Sequence, residues 1–311
     1  MKPDTCQHLR ANLLMLIAAM IWGSAFVAQR LSLDAIGPFL FTGLRFLLGA
    51  LVVLTMIVCV RRPARAELSR REPGGARELL GAGMLLGVVL SVSISLQQIG
   101  LQYTKVANAG FISSLYVVIV PLLGVLFRHR TGFGTWLGAT LAALGMYFLS
   151  VNEHFSMLYG DWYQLAGAVV ISVQMMLVGR FALRHDTLML ALVQFVTCGL
   201  ACLLVGLAIE PFSLAVIARA APTILYGGAL SVGIAYTIQV VAQRHAAPSH
   251  AAVIFSMEGV FAALAGWLVL GETLSARALF GCALMLAGLI VCQVMPAWRR
   301  GRGRERSPHA S

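Results

Sequence analysis

The chain has few charged residues, which make up 11% of its 311 positions, whereas a soluble domain carries roughly 25%. Hydrophobic residues account for 59% of the sequence. A soluble fold of this size still exposes about a quarter of the area of its unfolded chain, so it could not hide this much apolar surface. The composition excludes a soluble enzyme, a disordered chain and a disulfide-rich secreted scaffold, and it predicts an integral membrane protein.

Several chemical signatures are also missing. The six cysteines form no CxxC pair and no Cys/His spacing typical of zinc, so we expect no metal and no cofactor. The only lysines, Lys2 and Lys105, do not follow a Gly-x4-Gly pattern, which excludes an ATP-binding P-loop in this chain. No histidine lies deep in an apolar run, so we do not expect a membrane protease or another enzyme. The net charge of +11 lies in loops and tails, and therefore indicates lipid contact rather than nucleic-acid binding.

Apolar runs of membrane-spanning length are what the sequence has in abundance. A helix that crosses a bilayer needs about 20 mostly apolar residues. The fold class predicted from these runs is an all-α integral membrane protein with ten transmembrane helices. The predicted spans are residues 11–29, 38–60, 79–101, 106–127, 135–151, 162–180, 188–208, 220–242, 250–270 and 277–295.

The basic residues predict the direction of these helices. If the N-terminal residues 1–10 are cytoplasmic, few basic residues fall in outside loops, namely Arg30, Lys105, Arg219 and Arg277. The others lie on the inside, except for Arg45 within a span. Cytoplasmic segments of membrane proteins carry an excess of Lys and Arg, so we predict that both termini are cytoplasmic. The basic tail, residues 296–311, is expected to contact anionic lipid.

The two halves of the chain resemble each other. Residues 101–130 overlay residues 243–272 without a gap, and Arg45-Phe46 aligns with Gln194-Phe195. Each half holds five predicted spans, an odd number, so the halves insert in opposite directions. We therefore predict a first five-helix repeat over 11–151, an inverted second repeat over 162–295, and a substrate path at their interface.

Short motifs in both halves carry a family resemblance. They are Trp22-Gly23-Ser24, Arg45-Phe46, Pro121-Leu122-Leu123 and Leu270-Gly271-Glu272. Together they resemble the EamA-type transporters of the drug/metabolite transporter superfamily, over about residues 10–295. The resemblance implies a secondary active transporter of the inner membrane, most often an exporter of amino acids and other small metabolites. An importer of another small metabolite or of a lipid-like substrate is the alternative, and an integral membrane enzyme a more remote one.

Ionisable side chains at membrane depth are costly and mark candidate functional sites. The two such residues are Arg45 and Glu258, at similar depths. On a substrate path they could bind the carboxylate and the amine of a zwitterion; the alternative is a buried ion pair between them. Glu258 is also the candidate for proton coupling.

The repeat extends this candidate set. Tyr116 aligns with Glu258 and Gln194 with Arg45, and depth along the spans pairs Arg45 with Tyr116 and Gln194 with Glu258. The other predicted substrate-binding residues are polar or aromatic side chains within spans, which need partners or lie away from the usual interfacial belt. They are Trp22, Ser24, Gln97, Gln174, Tyr236 and Gln239.

The fifth and tenth spans differ from the others because each carries a face of small residues. One face consists of Gly138, Ala142 and Gly145, and the other of Gly281 and Gly288. Small faces let helices approach closely. We expect them to pack against neighbouring helices or against a second subunit in a homodimer.

Overall fold

The computed structural model describes residues 3–60, 75–104, 106–126, 132–150, 159–271 and 275–305. Within these residues every regular element is a helix. Several predicted features lie outside them: Lys105, Glu272, most of the basic loop after the second span, and the last residues of the basic tail.

Eight stretches of helix are long and apolar enough to cross a membrane. They are Leu9–Ser32, Pro38–Cys59, Ala76–Tyr103, Ala109–Leu126, Tyr159–Phe181, Thr187–Ile209, Leu214–Gln243 and Pro248–Val269. Two shorter apolar stretches, Phe133–Phe148 and Ala276–Cys292, coincide with the predicted fifth and tenth spans. The prediction of an all-helical, multi-pass membrane protein is confirmed, while the crossing of the two shorter helices stays a prediction.

The helices follow the predicted spans closely. The first half contains α1 Pro3–Ser32, α2 Pro38–Val60, α3 Ala76–Tyr103, α4 Val106–Ser113, α5 Tyr116–Leu126 and α6 Phe133–Ser150. The second half contains α7 Tyr159–Phe181, α8 Thr187–Ile209, α9 Leu214–Leu225, a π-helical segment Tyr226–Tyr236, α10 Thr237–Gln243, α11 Pro248–Phe255, α12 Glu258–Leu270 and α13 Ala276–Glu305.

Two spans are broken at aligned positions. The fourth span breaks between α4 and α5, and the ninth between α11 and α12. At each break the backbone tightens to hydrogen bonds between residues three apart, such as Val117 N to Ser114 O and Gly259 N to Ser256 O. These breaks place Tyr116 and Glu258 at the first positions of α5 and α12.

The helix packing brings the two halves of the chain together. α3 packs against α7 and α8, α2 against α8 and the π-helical segment, and α1 against α12 and the π-helical segment. α6 and α13 pack along each other. The core is therefore built from contacts between the two halves.

The small faces of α6 and α13 meet within one chain. A Cβ atom added at Gly145 would lie 2.5 Å from the carbonyl oxygen of Gly281, and one at Gly138 would lie 2.7 Å from that of Gly288. Larger side chains would hold the helices apart. These faces therefore pack against each other within the chain, as expected for neighbouring helices, while the homodimer stays a prediction.

Candidate functional site

A cavity with about 520 Å³ of empty space, including its mouth, lies inside the helix bundle. Its walls come from α1, α2, α3, α5, α7, α10, α12 and the π-helical segment, so both halves of the chain contribute. Seven of the ten predicted site residues line it: Trp22, Arg45, Gln97, Tyr116, Tyr236, Gln239 and Glu258. The structure therefore brings most of the predicted set to one place.

Arg45 is held on α2 by aromatic rings. Its side chain is 2% exposed, and its guanidinium lies 5.1 Å from the ring centre of Phe41 and 5.5 Å from that of Phe46. A cation over an aromatic face is attracted by the negative charge of the ring surface. Gly227 of the π-helical segment leaves room for the chain, because a Cβ there would lie 3.3 Å from the Cδ of Arg45. Within the described residues, the Nε of Arg45 has no hydrogen-bond partner.

Glu258 opens α12 and is 5% exposed. The hydroxyl of Ser114 donates a hydrogen bond of 3.2 Å to its Oε1. Tyr116 also neighbours the carboxyl group, although over the described residues its hydroxyl makes no hydrogen bond of standard geometry. The first position of a helix suits a carboxylate, because the backbone N–H groups there point towards it.

This arrangement corrects the pairing expected from depth. Glu258 lies beside Tyr116, not beside Gln194, and Arg45 stacks on Phe41 and Phe46. The fourth and ninth spans pack against each other, α4 against α12 and α5 against α11. Tyr116 and Glu258, each at the first position after the break in its span, are neighbours.

The alternative of an ion pair between the two charged residues is not observed in the described part of the chain. Glu258 is bonded to Ser114, and the neighbours of the Arg45 guanidinium are rings, Tyr236 and two thiols. Two groups of opposite formal charge thus line one cavity without neutralising each other. An ionised side chain away from water is expensive unless a partner compensates it, so the arrangement favours a ligand with both signs of charge.

Aromatic side chains form one wall. The rings of Trp22 and Tyr236 lie 4.6 Å apart, and those of Trp22 and Phe255 lie 5.1 Å apart. The indole Nε1 of Trp22 donates a 3.3 Å hydrogen bond to the carbonyl oxygen of Ser231. This bond ties α1 to the π-helical segment at the cavity.

Ser24 does not line the cavity. Its hydroxyl lies 2.6 Å from the hydroxyl of Tyr226 and also bonds to backbone carbonyls of its own helix. Serine in a helix often bonds to the carbonyl oxygen one turn earlier. In this structure Ser24 fastens α1 to the start of the π-helical segment.

Gln174 and Gln194 also lie outside the cavity lining, but they connect to it. Gln239 donates from Nε2 to Oε1 of Gln174, and Gln174 donates from Nε2 to Oε1 of Gln194, each over 3.3 Å. All three side chains are buried. Of these three, only Gln239 reaches the cavity.

Gln97 is supported by a further buried amide. The backbone carbonyl oxygen of Gln97 accepts a 2.7 Å hydrogen bond from Nε2 of Gln164 on α7, and Oε1 of Gln164 accepts one of 3.0 Å from the hydroxyl of Ser113. The sequence reasoning missed Gln164, because its role depends on contacts between helices that no local pattern reveals.

Six cavity residues were not predicted. They are Phe26, Gln29, Ile94, Ile171, Met175 and Ser231. For several of these six residues, the spacing along the sequence could have predicted that they face the same side as a candidate site residue. Trp22, Phe26 and Gln29 are spaced along one face of α1, and Ile171 and Met175 along one face of α7. Ser231 carried no such signal, because it lies in a π-helical segment with a different period.

Comparisons with known proteins agree with this fold. An uncharacterized transporter of Archaeoglobus fulgidus is 27% identical over 292 residues, which cover 92% of this chain and 86% of that protein. YetK, an uncharacterized transporter of Bacillus subtilis, is 32% identical over 133 residues, or 42% of this chain and 38% of its own. A solved crystal structure superposes with a TM-score of 0.75 at 21% identity, covering 92% of this chain and 97% of that one.

A sequence model of the EamA-like transporter family matches the chain twice, over residues 9–151 and 158–292. The matches leave only the termini and a short central segment uncovered. They agree with the helical membrane fold and with the relatives named as transporters. The chain therefore belongs to the EamA-like transporter family of the drug/metabolite transporter superfamily.

Proposed function

We propose that this protein is a secondary active transporter that exports small zwitterionic metabolites, such as amino acids, across the inner membrane. The observation that carries the proposal is the pair of buried side chains of opposite charge, Arg45 and Glu258, which line one cavity without pairing. A solute with a carboxylate and an ammonium group would supply the oppositely charged partner that neither side chain has within the described residues.

The cavity also suits the rest of such a solute. Ile94, Ile171 and Met175 offer apolar surface, and Trp22 and Tyr236 offer aromatic surface. A few polar groups that converge in a largely apolar pocket are typical of small-molecule sites.

The mechanism we propose is alternating access between two inverted repeats. In the two repeats α1 corresponds to α7, and α3 corresponds to the π-helical segment. A twofold relation between the halves therefore requires that the contact of α3 with α7 be matched by a contact of the π-helical segment with α1. In the same way, α2 corresponds to α8, so the contact of α3 with α8 must be matched by a contact of the π-helical segment with α2. All four contacts occur, which supports a twofold relation between the halves and a binding site at their interface.

Glu258 is the proposed coupling residue. It is a carboxyl group in a cavity with Ser114 as its hydrogen-bond donor, so a bound proton and a bound ammonium group would compete for the same oxygens. Such competition couples proton entry to solute release. The proposed direction, export, corresponds to exchange of an outside proton for an inside solute.

The test is transport in proteoliposomes that contain the purified protein. A panel of radiolabelled amino acids is offered with and without a pH gradient, and empty liposomes serve as the control. We expect protein-dependent uptake of at least one amino acid, with stimulation by the gradient. A panel without any protein-dependent uptake would overturn the proposed substrate class, and uptake without stimulation would overturn the proton coupling.

A further inference from the structure

Much of the cavity lining consists of residues at equivalent positions in the two halves of the chain. The turn after α1, residues 33–37, has the same length as the turn after α7, residues 182–186. The two turns align at the offset that relates Arg45 to Gln194. At this offset, two cavity residues of α1 correspond to two cavity residues of α7. The pairs are Trp22 with Ile171, and Phe26 with Met175.

Three further pairs come from α3, α5 and their counterparts in the second half. At the offset that relates residues 101–130 to residues 243–272, the pairs are Ile94 with Tyr236, Gln97 with Gln239, and Tyr116 with Glu258. All six side chains line the cavity. The cavity therefore lies across the twofold relation between the halves.

The remaining lining residues break this symmetry. They are Gln29, Arg45 and Ser231, and their counterparts Val178, Gln194 and Val89 do not line the cavity. Gln29 lies in the last turn of α1 and is half-buried, whereas Val178 lies in the last turn of α7 and is 0% exposed. Arg45 lies two turns into α2, and Gln194 lies equally far into α8.

The cavity thus extends towards the end of the bundle that carries the turn between α1 and α2, which we refer to as the α1–α2 end. It stops short of the opposite α7–α8 end. There Met175 and Gln239 are 2% and 1% exposed, and Gln243 donates a 3.4 Å hydrogen bond to the backbone oxygen of Met175. Their counterparts Phe26 and Gln97 are less deeply buried.

The repeat indicates what a second conformation contains. Because the two halves have corresponding helices in opposite orientations, exchanging their arrangements opens the cavity at the α7–α8 end and closes it at the α1–α2 end. The five pairs then stay in the lining, so Glu258 is present in both conformations. Arg45, in contrast, leaves the lining, and Gln194 enters it.

We infer that the cavity has two forms that differ in the group offered to the carboxylate of the solute. The form open at the α1–α2 end offers Arg45, and the form open at the α7–α8 end offers the neutral amide of Gln194. This amide is 0% exposed, and one of its polar atoms has no hydrogen-bond partner within the described residues. The inference rests on the proposed function in so far as the solute is a zwitterion.

Thiol labelling tests the two forms without any solute. Arg45→Cys and Gln194→Cys are made in the full-length chain and treated with a membrane-impermeant maleimide, in right-side-out and in inside-out membrane vesicles. The parent protein with its native cysteines is the blank. We expect Arg45→Cys to react only from the side of the α1–α2 end, and Gln194→Cys only from the opposite side. Reaction of both variants from one side, or no reaction of Gln194→Cys from either, would overturn the inference.

Ala191→Cys is the matched control. Ala191 lies one turn from Gln194 on α8 and is also 0% exposed, but neither it nor its counterpart Thr42 lines the cavity. This variant should not react from either side, and its reaction would mean that labelling reports general loosening of α8. If Arg45→Cys does not fold, as judged by gel filtration, Gln29→Cys and Val178→Cys provide the same comparison.

The chemical difference between the forms is measured with L-leucine. Initial uptake is recorded in both vesicle orientations without a pH gradient. Hydrogen bonds to a charged group exceed those to a neutral one, so we expect a KM roughly 10-fold lower on the side of the α1–α2 end. Arg45→Gln should raise this KM alone and remove the difference. Equal KM values in the wild type, or an equal rise on both sides in Arg45→Gln, would contradict the role of Arg45.

The labelling and the transport assays fail separately. Labelling from opposite sides by a protein that transports no amino acid would refute the proposed function and leave the two forms of the cavity intact. Amino-acid transport by a protein whose Arg45→Cys and Gln194→Cys variants react from the same side would refute the inference alone.

Discussion

Glu258 is buried in a predicted span and, in the part of the chain that the structure describes, accepts one side-chain hydrogen bond, from Ser114. Glutamine at this position can still accept that bond but cannot carry a charge or exchange a proton. We therefore expect Glu258→Gln to abolish the stimulation of transport by a pH gradient. We also expect solute affinity to fall roughly 10-fold or more, since hydrogen bonds to charged groups are worth about 1.5–3 kcal/mol. Radiolabelled uptake in proteoliposomes, with and without the gradient, measures both effects.

Ser114→Ala is the control for Glu258→Gln. It removes the hydroxyl donor and leaves the carboxyl group in place, so stimulation by the gradient should persist. Gradient-driven transport by Glu258→Gln at the wild-type rate would exclude Glu258 as the coupling residue.

Arg45 offers a second prediction at the scale of single residues. Lysine keeps the positive charge but lacks the planar fork that binds a carboxylate through two bonds and stacks on Phe41 and Phe46. We expect Arg45→Lys to raise the KM for the solute roughly 10-fold, because one of two charge-assisted hydrogen bonds, each worth about 1.5–3 kcal/mol, would be lost. The measurement is initial uptake against solute concentration, with protein content and thermal stability as checks. An unchanged KM would mean that charge alone suffices at this position.

The location of Arg45 and Glu258 at a cavity was predictable because charge is so scarce in this sequence. An ionisable group within an apolar run has few explanations, and both residues do lie in the cavity. The sequence positions of Gln174, Gln194 and Gln239 did not indicate which of these three residues reaches the cavity. Each was a plausible ligand by its depth, and only the contacts between three helices show that one of them reaches the cavity.

At the scale of helices, the contact of α6 with α13 leads to a stability prediction. A methyl group at Gly145 would collide with the backbone of Gly281, so Gly145→Ala must push the helices apart. Overpacking of this kind costs about 1–3 kcal/mol. We expect a lower midpoint in thermal unfolding of the purified protein, followed by tryptophan fluorescence.

Gly81→Ala is the matched control for this substitution. Gly81 also lies inside a helix, α3, but nothing stands within 4 Å of an added Cβ. Alanine forms helices better than glycine by about 1 kcal/mol, so this variant should be as stable as the wild type or more stable. Equal midpoints for both variants would show that α6 and α13 do not pack as closely as described.

The helix breaks and the π-helical segment mark the limit of prediction from sequence. Apolar runs in the sequence reveal the positions of the helices, because a helix that crosses a bilayer must be apolar over about 20 residues. They do not reveal where a helix changes its period. The segment Tyr226–Tyr236 is π-helical, and the breaks before Tyr116 and Glu258 are tightened turns. Local conflicts of this kind concentrate at functional sites, and here all three features border the cavity.

At the scale of the whole molecule, the inverted repeat depends on whether α6 and α13 cross the membrane. Their apolar stretches, Phe133–Phe148 and Ala276–Cys292, are shorter than those of the eight long spans. The C-terminus does not distinguish the two cases, because removing both crossings leaves it on the same side. The turn between α7 and α8 does distinguish them: it is cytoplasmic with ten crossings and external with eight.

Reporter fusions at this turn therefore decide the topology. Alkaline phosphatase, active only outside the inner membrane, is fused after Arg184 in one strain and after Pro211, between α8 and α9, in another. With ten crossings we expect no activity at Arg184 and high activity at Pro211, and green fluorescent protein should give the reverse pattern. A fusion after Leu33 should be active in either case and controls for expression. Activity at Arg184 would mean that α6 does not cross, that the halves share one orientation, and that the proposed alternating access between inverted repeats is untenable.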